Sequence, residues 1–190
     1  MLAFRLVAAS LALVALVTAP AVAQDERKDL QIFKDISDSV TTYIRFTIFD
    51  DVGASVDQGV VTLAGKVTQP YKRDDIERRV SKVAGVRRVD NKITVLPVSF
   101  FDDSLRYSIA RAIYDNSAFW QYASMSNPPI HIVVEHGHVT LTGVVNSNVE
   151  RMLATSLASS FGEFSIKSEL KTDAEMRRLL EKMGSITPAS

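Results

Sequence analysis

The stretch Gly59-Val60-Val61-Thr62-Leu63-Ala64-Gly65-Lys66-Val67 returns without a gap as Gly137-His138-Val139-Thr140-Leu141-Thr142-Gly143-Val144-Val145. Six of the nine positions are identical, at an offset of 78. Self-similarity of this kind marks a repeated structural unit. In both copies a two-residue turn precedes the strand, Gln58-Gly59 in one and His136-Gly137 in the other, with glycine supplying the positive φ that a tight hairpin needs. Pairing across these turns sets Val56 against Val61 and Ala54 against Leu63, and Val134 against Val139 and Ile132 against Leu141. Strand alternation puts each set on one face, the core side.

The flanks repeat as well. Gly85-x-x-x-Val89-x-Asn91-x-Ile93 aligns with Gly162-x-x-x-Ile166-x-Ser168-x-Leu170, and upstream Ile36 and Val40 align with Ile109 and Ile113. Ile32, Phe33, Ile36, Val40 and Tyr43 fall at helical spacing, as do Leu105, Ile109, Ala112 and Ile113. A second helix follows each hairpin. Pro70 starts one, a Ser147–Glu150 capping box starts the other, and Gly85 and Gly162 end them. Their inward rows read as Ile76, Val80 and Val83, and as Val149, Met152/Leu153 and Leu157. In the last strands Val89, Ile93 and Val95 share a face, and so do Phe164, Ile166 and Leu170. The expected fold is α+β: two tandem αββαβ modules, residues 28–96 and 102–171, each packing two helices on a three-stranded sheet. The apolar linker Leu96-Pro97-Val98-Ser99-Phe100-Phe101 reads as partly buried, so the modules should touch. A Thr172–Glu175 capping box opens a C-terminal helix, residues 172–184. Its apolar row, Met176, Leu179, Leu180 and Met183, is expected to pack on the second module, with a membrane or partner contact as the alternative.

Two copies of helix, hairpin, helix and strand, each with Gly-x-Val-Thr-Leu-x-Gly, resemble the BON-domain family. So does the Gly-Val-x-x-Val-x-Asn-x-Ile pattern at Gly85–Ile93; the second copy departs from it at Glu163 and Ser168. The resemblance covers roughly residues 28–171. It implies exported or envelope-associated bacterial proteins, often carrying tandem pairs, that attach to phospholipid surfaces and support envelope maintenance or stress protection. It implies no catalytic residues. Gly59, Gly65, Gly85, Gly137, Gly143 and Gly162 carry over as fold residues, not as a site.

The first residues fit export. Arg5, the apolar run from Leu6 to Val17 and the triplet Ala21-Val22-Ala23 form the three parts of a secretory signal peptide, residues 1–23. The run is too short to span a bilayer, so no transmembrane segment is expected after cleavage. The chain has no cysteine, which removes disulfides, thiolate catalysis and lipoprotein acylation together. The expected compartment is the periplasm. The 22 basic and 22 acidic residues balance, so no global field draws in nucleic acid.

Catalytic signatures are missing: no Gly-x-Ser-x-Gly, no phosphate-cradling glycine loop and no His-Glu-x-x-His. The pairs Asp50-Asp51, Asp74-Asp75 and Asp102-Asp103 precede or begin elements, where helix starts favour carboxylates. Hairpin parity puts His131, Glu135 and His138 on the solvent face and His136 in the turn, an arrangement read as exposed histidines and not as a metal site. No metal and no cofactor are expected.

Two surfaces are candidates for a lipid or partner contact. Lys72, Arg73, Arg78, Arg79 and Lys82 lie on one helix with Arg87 and Arg88 just beyond, diluted by Asp74, Asp75 and Glu77. The plain reading is a solvated helix face; the alternative is a contact with an anionic phospholipid headgroup or an envelope protein. Phe119-Trp120-Gln121-Tyr122-Ala123-Ser124-Met125 supplies aromatic rings suited to a bilayer interface, against a competing use in the core. The expected function is non-enzymatic binding to phospholipid surfaces in the periplasm. The alternative is a protein-interaction or chaperone-like module.

Overall fold

A computed structural model describes residues 22–184. Residues 1–21, which hold nearly all of the expected signal peptide, lie outside the described residues. In the first module, α1 (Val22–Thr41) leads into the hairpin of β1 (Asp51–Asp57) and β2 (Val60–Val67). Then α2 (Pro70–Val80) crosses over, and β3 (Arg88–Val95) pairs parallel to β2, giving sheet order β1-β2-β3. The second module repeats the path with α3 (Phe100–Tyr114), a 3-10 turn at Ser117–Phe119 and α4 (Trp120–Ala123). The hairpin β4 (Ile130–Glu135) and β5 (His138–Val145) follows, then α5 (Asn148–Ala158) and β6 (Ser165–Ser168). The third position of this sheet is interrupted: β6 and then β7 (Lys171–Thr172) both pair parallel to β5. The last element is α6 (Asp173–Gly184). The fold is the expected α+β pair of helix-on-sheet modules.

The hairpins pair in the expected register, Ala54 with Leu63 and Ile132 with Leu141. Their turns place Gln58 at φ 48° and His136 at φ 51°, left-handed values that only glycine adopts at no cost. A carboxylate holds each turn in place. Asp29 on α1 accepts from the N–H groups of Gln58 and Gly59 at 2.7 and 2.9 Å. Asp102 on α3 accepts from those of His136 and Gly137 at 2.9 and 2.8 Å. Asp102 is fully buried, so its role is more specific than favouring a helix start. Inward of the turns, Ile36, Val61, Leu63 and Ile76 fill one core, and Ile109, Ile132, Leu141 and Ala154 the other.

Four packing details depart from expectation. On α5 Leu153 and Leu157 pack on the core as expected, alongside the buried Ala154 and Ala158, whereas Val149 and Met152 stand outward at 75% and 73% exposure. Polar contacts fix this rotation: Glu150 accepts from the Tyr122 hydroxyl at 2.7 Å, and Arg151 reaches the Leu170 carbonyl and Glu175. Phe164 lies ahead of β6 and outside the core. Its ring covers the Gly137 turn beside Phe101, with 6.0 Å between ring centroids. On the outer face of the second sheet His138 is exposed as expected, but the β4 part is covered. Val133 is buried there, His131 is half-buried against Phe46, and Glu135 pairs with Lys66 of the first module. The modules touch and the linker is partly buried, as expected, with Leu96 in the interior and Val98 and Phe100 exposed. Residues 46–50 make the junction, with Ile48 accepting from the Ile132 N–H at 2.6 Å. Finally, α6 forms its capping box and packs across both modules, meeting α1 as well as β5.

Candidate functional site

The basic helix α2 follows from Pro70 at its first turn and the apolar pair Ile76 and Val80 on its inner side. Lys72 lies four residues before Ile76 and so shares that inner side. It is buried, which corrects its expected place on the exposed basic face. Its ammonium donates to Asp50 at 2.6 Å and to the Thr68 hydroxyl at 2.8 Å. Asp50, fully buried, also accepts from the backbone N–H and hydroxyl of Thr47 and of Thr68. Burial alone would raise its pKa. The Lys72 ammonium, the Thr68 N–H and Thr47 more than offset this and hold the carboxyl below its ordinary value. Lys72 therefore belongs to the framework that sets residues 46–50 against the second module.

The other cations of α2 reach the surface, yet most are engaged. Arg73 pairs with Asp74 at 3.0 Å, and Arg78 pairs with Asp75. Arg79 lies over the Tyr43 ring at 5.2 Å and donates to the Ser39 carbonyl at 3.1 Å. Asp75 also accepts from the Tyr43 hydroxyl, and that bond is the first cause of its lowered pKa, ahead of Arg78. Burial, with Asp75 beside it, pushes Tyr43 up to about 12. Lys82 stands exposed beyond the helix. This face is a lattice of internal ion pairs, and an incoming anion would have to compete with Asp74 and Asp75 for Arg73 and Arg78.

The aromatic segment divides as well. Phe119 is fully buried, and Tyr122 is buried with its ring 6.0 Å from that of Phe119. Neither is available to a bilayer, which corrects their candidacy as contact residues. The i, i+3 spacing of Phe119 and Tyr122, with Trp120 between them, carries that division in the sequence. The Tyr122 hydroxyl donates to Glu150 and accepts from the Asn146 N–H at 3.1 Å. Burial and then the Glu150 carboxylate raise its pKa to about 12. This contact ties α4 to the first turn of α5. Trp120 is 77% exposed and points away from the core. Val149 and Met152 on α5 are also large apolar side chains that stand exposed. Of the row Val149, Met152/Leu153 and Leu157, the phase of α5 turns Leu153 and Leu157 inward and Val149 and Met152 outward.

The histidines serve the fold. His131 donates from Nδ1 to the Asp50 carbonyl at 2.7 Å, and His138 shares a hydrogen bond with the Ser165 hydroxyl. Among the described residues, no group of three or more His, Asp or Glu is placed to hold a metal ion, and no helix is long and apolar enough to cross a membrane.

Comparison with known proteins places the geometry in context. The BON-domain family model matches residues 35–97 and 108–163. No curated protein matches the chain. Among solved structures, similarity is found to CdsD, a structural protein of the type III secretion system of Chlamydia trachomatis. One CdsD structure matches at 11% identity and a TM-score of 0.29, over 84% of this chain and 100% of that one. The CdsD C-terminal domain matches at 12% identity and a TM-score of 0.23, over 81% and 98%. Scores this low carry no argument about function.

Proposed function

The chain belongs to the BON-domain family, and on that premise we propose that it is a non-enzymatic periplasmic protein that contacts phospholipid surfaces. In this role it supports envelope integrity or stress tolerance. The observation that carries the reading is the exposure of three large apolar side chains on helices of the second module, Trp120, Val149 and Met152, each more than 70% exposed. Large apolar side chains left in water are the ones a contact would cover, and an indole suits the headgroup region of a bilayer. The basic helix is the weaker candidate because Arg73 and Arg78 are already paired.

Flotation of residues 24–190 with phosphatidylglycerol vesicles and with phosphatidylcholine vesicles tests this. The protein should rise with the vesicles. V149S/M152S should weaken binding by about 30-fold, from roughly 2 kcal/mol of lost apolar contact. Both side chains are exposed, so the unfolding midpoint should hold. Absence of co-flotation with either vesicle would sink the lipid reading. Loss on R78E/R79E, with V149S/M152S unaffected, would move the contact to α2.

A further inference from the structure

The two sheets differ at their free edges. In β4 the turn-closing pair Glu135–His138 fixes which groups face outward, namely those of Ile130, Ile132 and Val134. Every one of these residues has an edge-facing group engaged. The Tyr114 hydroxyl donates to the Ile130 carbonyl at 2.6 Å, the Ile132 N–H donates to Ile48, and the Arg106 guanidinium donates to the Val134 carbonyl. With one group taken on each residue, β4 offers no continuous ladder to an added strand.

In the first module β1 holds the same position, and its closing pair Asp57–Val60 turns the N–H and C=O groups of Val52, Ala54 and Val56 outward. Among the described residues no hydrogen bond closes this edge. The reason lies on α1. Matching Asp29 to Asp102 through their turn contacts sets Phe33 where Arg106 stands and Thr41 where Tyr114 stands. Phe33 has no donor, and the Thr41 hydroxyl donates to its own helix at Ser37. A groove of about 760 Å³ runs beside this edge, between Phe33 and Ile36 of α1 and Leu179 and Leu180 of α6, with Pro129 and His131 of the second module along one end. An unpaired strand edge beside an apolar groove is the geometry of strand addition.

We propose that the β1 edge accepts an extended peptide segment of another protein as an added strand. The peptide would alternate small or apolar residues with polar ones and carry a cation at each end. The charge requirement comes from Asp51 and Asp57, which bracket the edge. The same carboxylates oppose a second copy of this chain. Antiparallel self-pairing centred on Ala54 would set Asp51 against Asp57 twice, and like charges directly opposite destabilise a ladder. This site is separate from the helical surface of the second module and does not depend on lipid contact.

The test uses ¹⁵N-labelled protein, residues 24–190, and a capped seven-residue peptide of alternating valine and threonine with lysine at each end. The amide resonances of Val52, Ala54 and Val56 should move and saturate as the peptide is raised to about 1 mM. N-methylation of alternate peptide amides on the edge-facing parity should weaken binding by about 10-fold or more, through lost hydrogen bonds, and methylation on the other parity should not. Ala54→Pro removes one outward donor without touching the β1–β2 ladder and should weaken binding similarly. Glutamate in place of the terminal lysines should also weaken it. The proposal is overturned if those three amides do not move, if the two methylated peptides bind alike, or if the glutamate peptide binds better. It is also overturned if the free protein dimerises with these amides protected, which would make a second copy the occupant.

Discussion

Asp50→Ala is expected to cost roughly 3–5 kcal/mol of folding stability, read by denaturant unfolding, because it strands a buried ammonium. Lys72 is 4% exposed, and Asp50 is the carboxylate that neutralises it. D50A/K72M, which removes both charges, should recover part of the loss, the remainder being the Thr47 and Thr68 donors left without Asp50. The pH dependence has a definite sign. The folded-state pKa of Asp50 lies below its unfolded value of about 3.9. Its contribution is therefore present above that unfolded value and is lost as pH falls through the lower, folded one. Acid unfolding should be shallower in D50A/K72M than in the native chain. The Asp50 carbonyl also binds His131, and Ile48 binds Ile132, so D50A alone should loosen the junction of the modules. Faster hydrogen exchange at the Ile132 amide would report it. Unchanged stability in D50A would remove the ion pair from the account of the fold.

The second large effect is at the glycines that close the repeated strands. Gly65 and Gly143 adopt φ of 134° and 111°, and a Cβ built on them would lie 2.1 Å from the Asp51 carbonyl oxygen and 1.8 Å from that of Pro129. Alanine must therefore bring backbone strain and part the strands together, at roughly 3–5 kcal/mol. Gly53 and Gly162 provide the contrast. An added Cβ at Gly53 would sit 3.9 Å from its nearest neighbour without positive φ, and at Gly162 only the φ of 85° opposes it. Thermal unfolding should place G53A within about 1 kcal/mol of the native chain and G162A about 1 kcal/mol below it. G143A melting with G53A would contradict this reading.

The repeat, both turns and the inward strand residues could be read from the chain because each rests on local periodicity. Long-range contacts account for what could not. Lys72 shares the spacing of Ile76 and Val80, but its burial depends on Asp50 arriving from 22 residues upstream. The phase of α5 is set by Tyr122 and by Glu175, neither of them in that helix. The β4 part of the second sheet's outer face reads as solvent-facing in isolation, because His131 and Glu135 meet Phe46 and Lys66 of the first module. The open edge of β1 is visible only by contrast with β4, where Arg106, Tyr114 and Ile48 supply what Phe33 and Thr41 do not.

The central claim, that the helical side of the second module meets a phospholipid surface, can be tested with the only tryptophan in the sequence. Trp120 is 77% exposed, so its emission in the free protein should be that of a hydrated indole. On adding phosphatidylglycerol vesicles the emission should shift to shorter wavelength, and acyl-chain bromination should quench it. Both responses should be lost in V149S/M152S. If the protein floats with the vesicles while the emission of Trp120 stays unshifted and unquenched, the contact lies elsewhere and the claim fails.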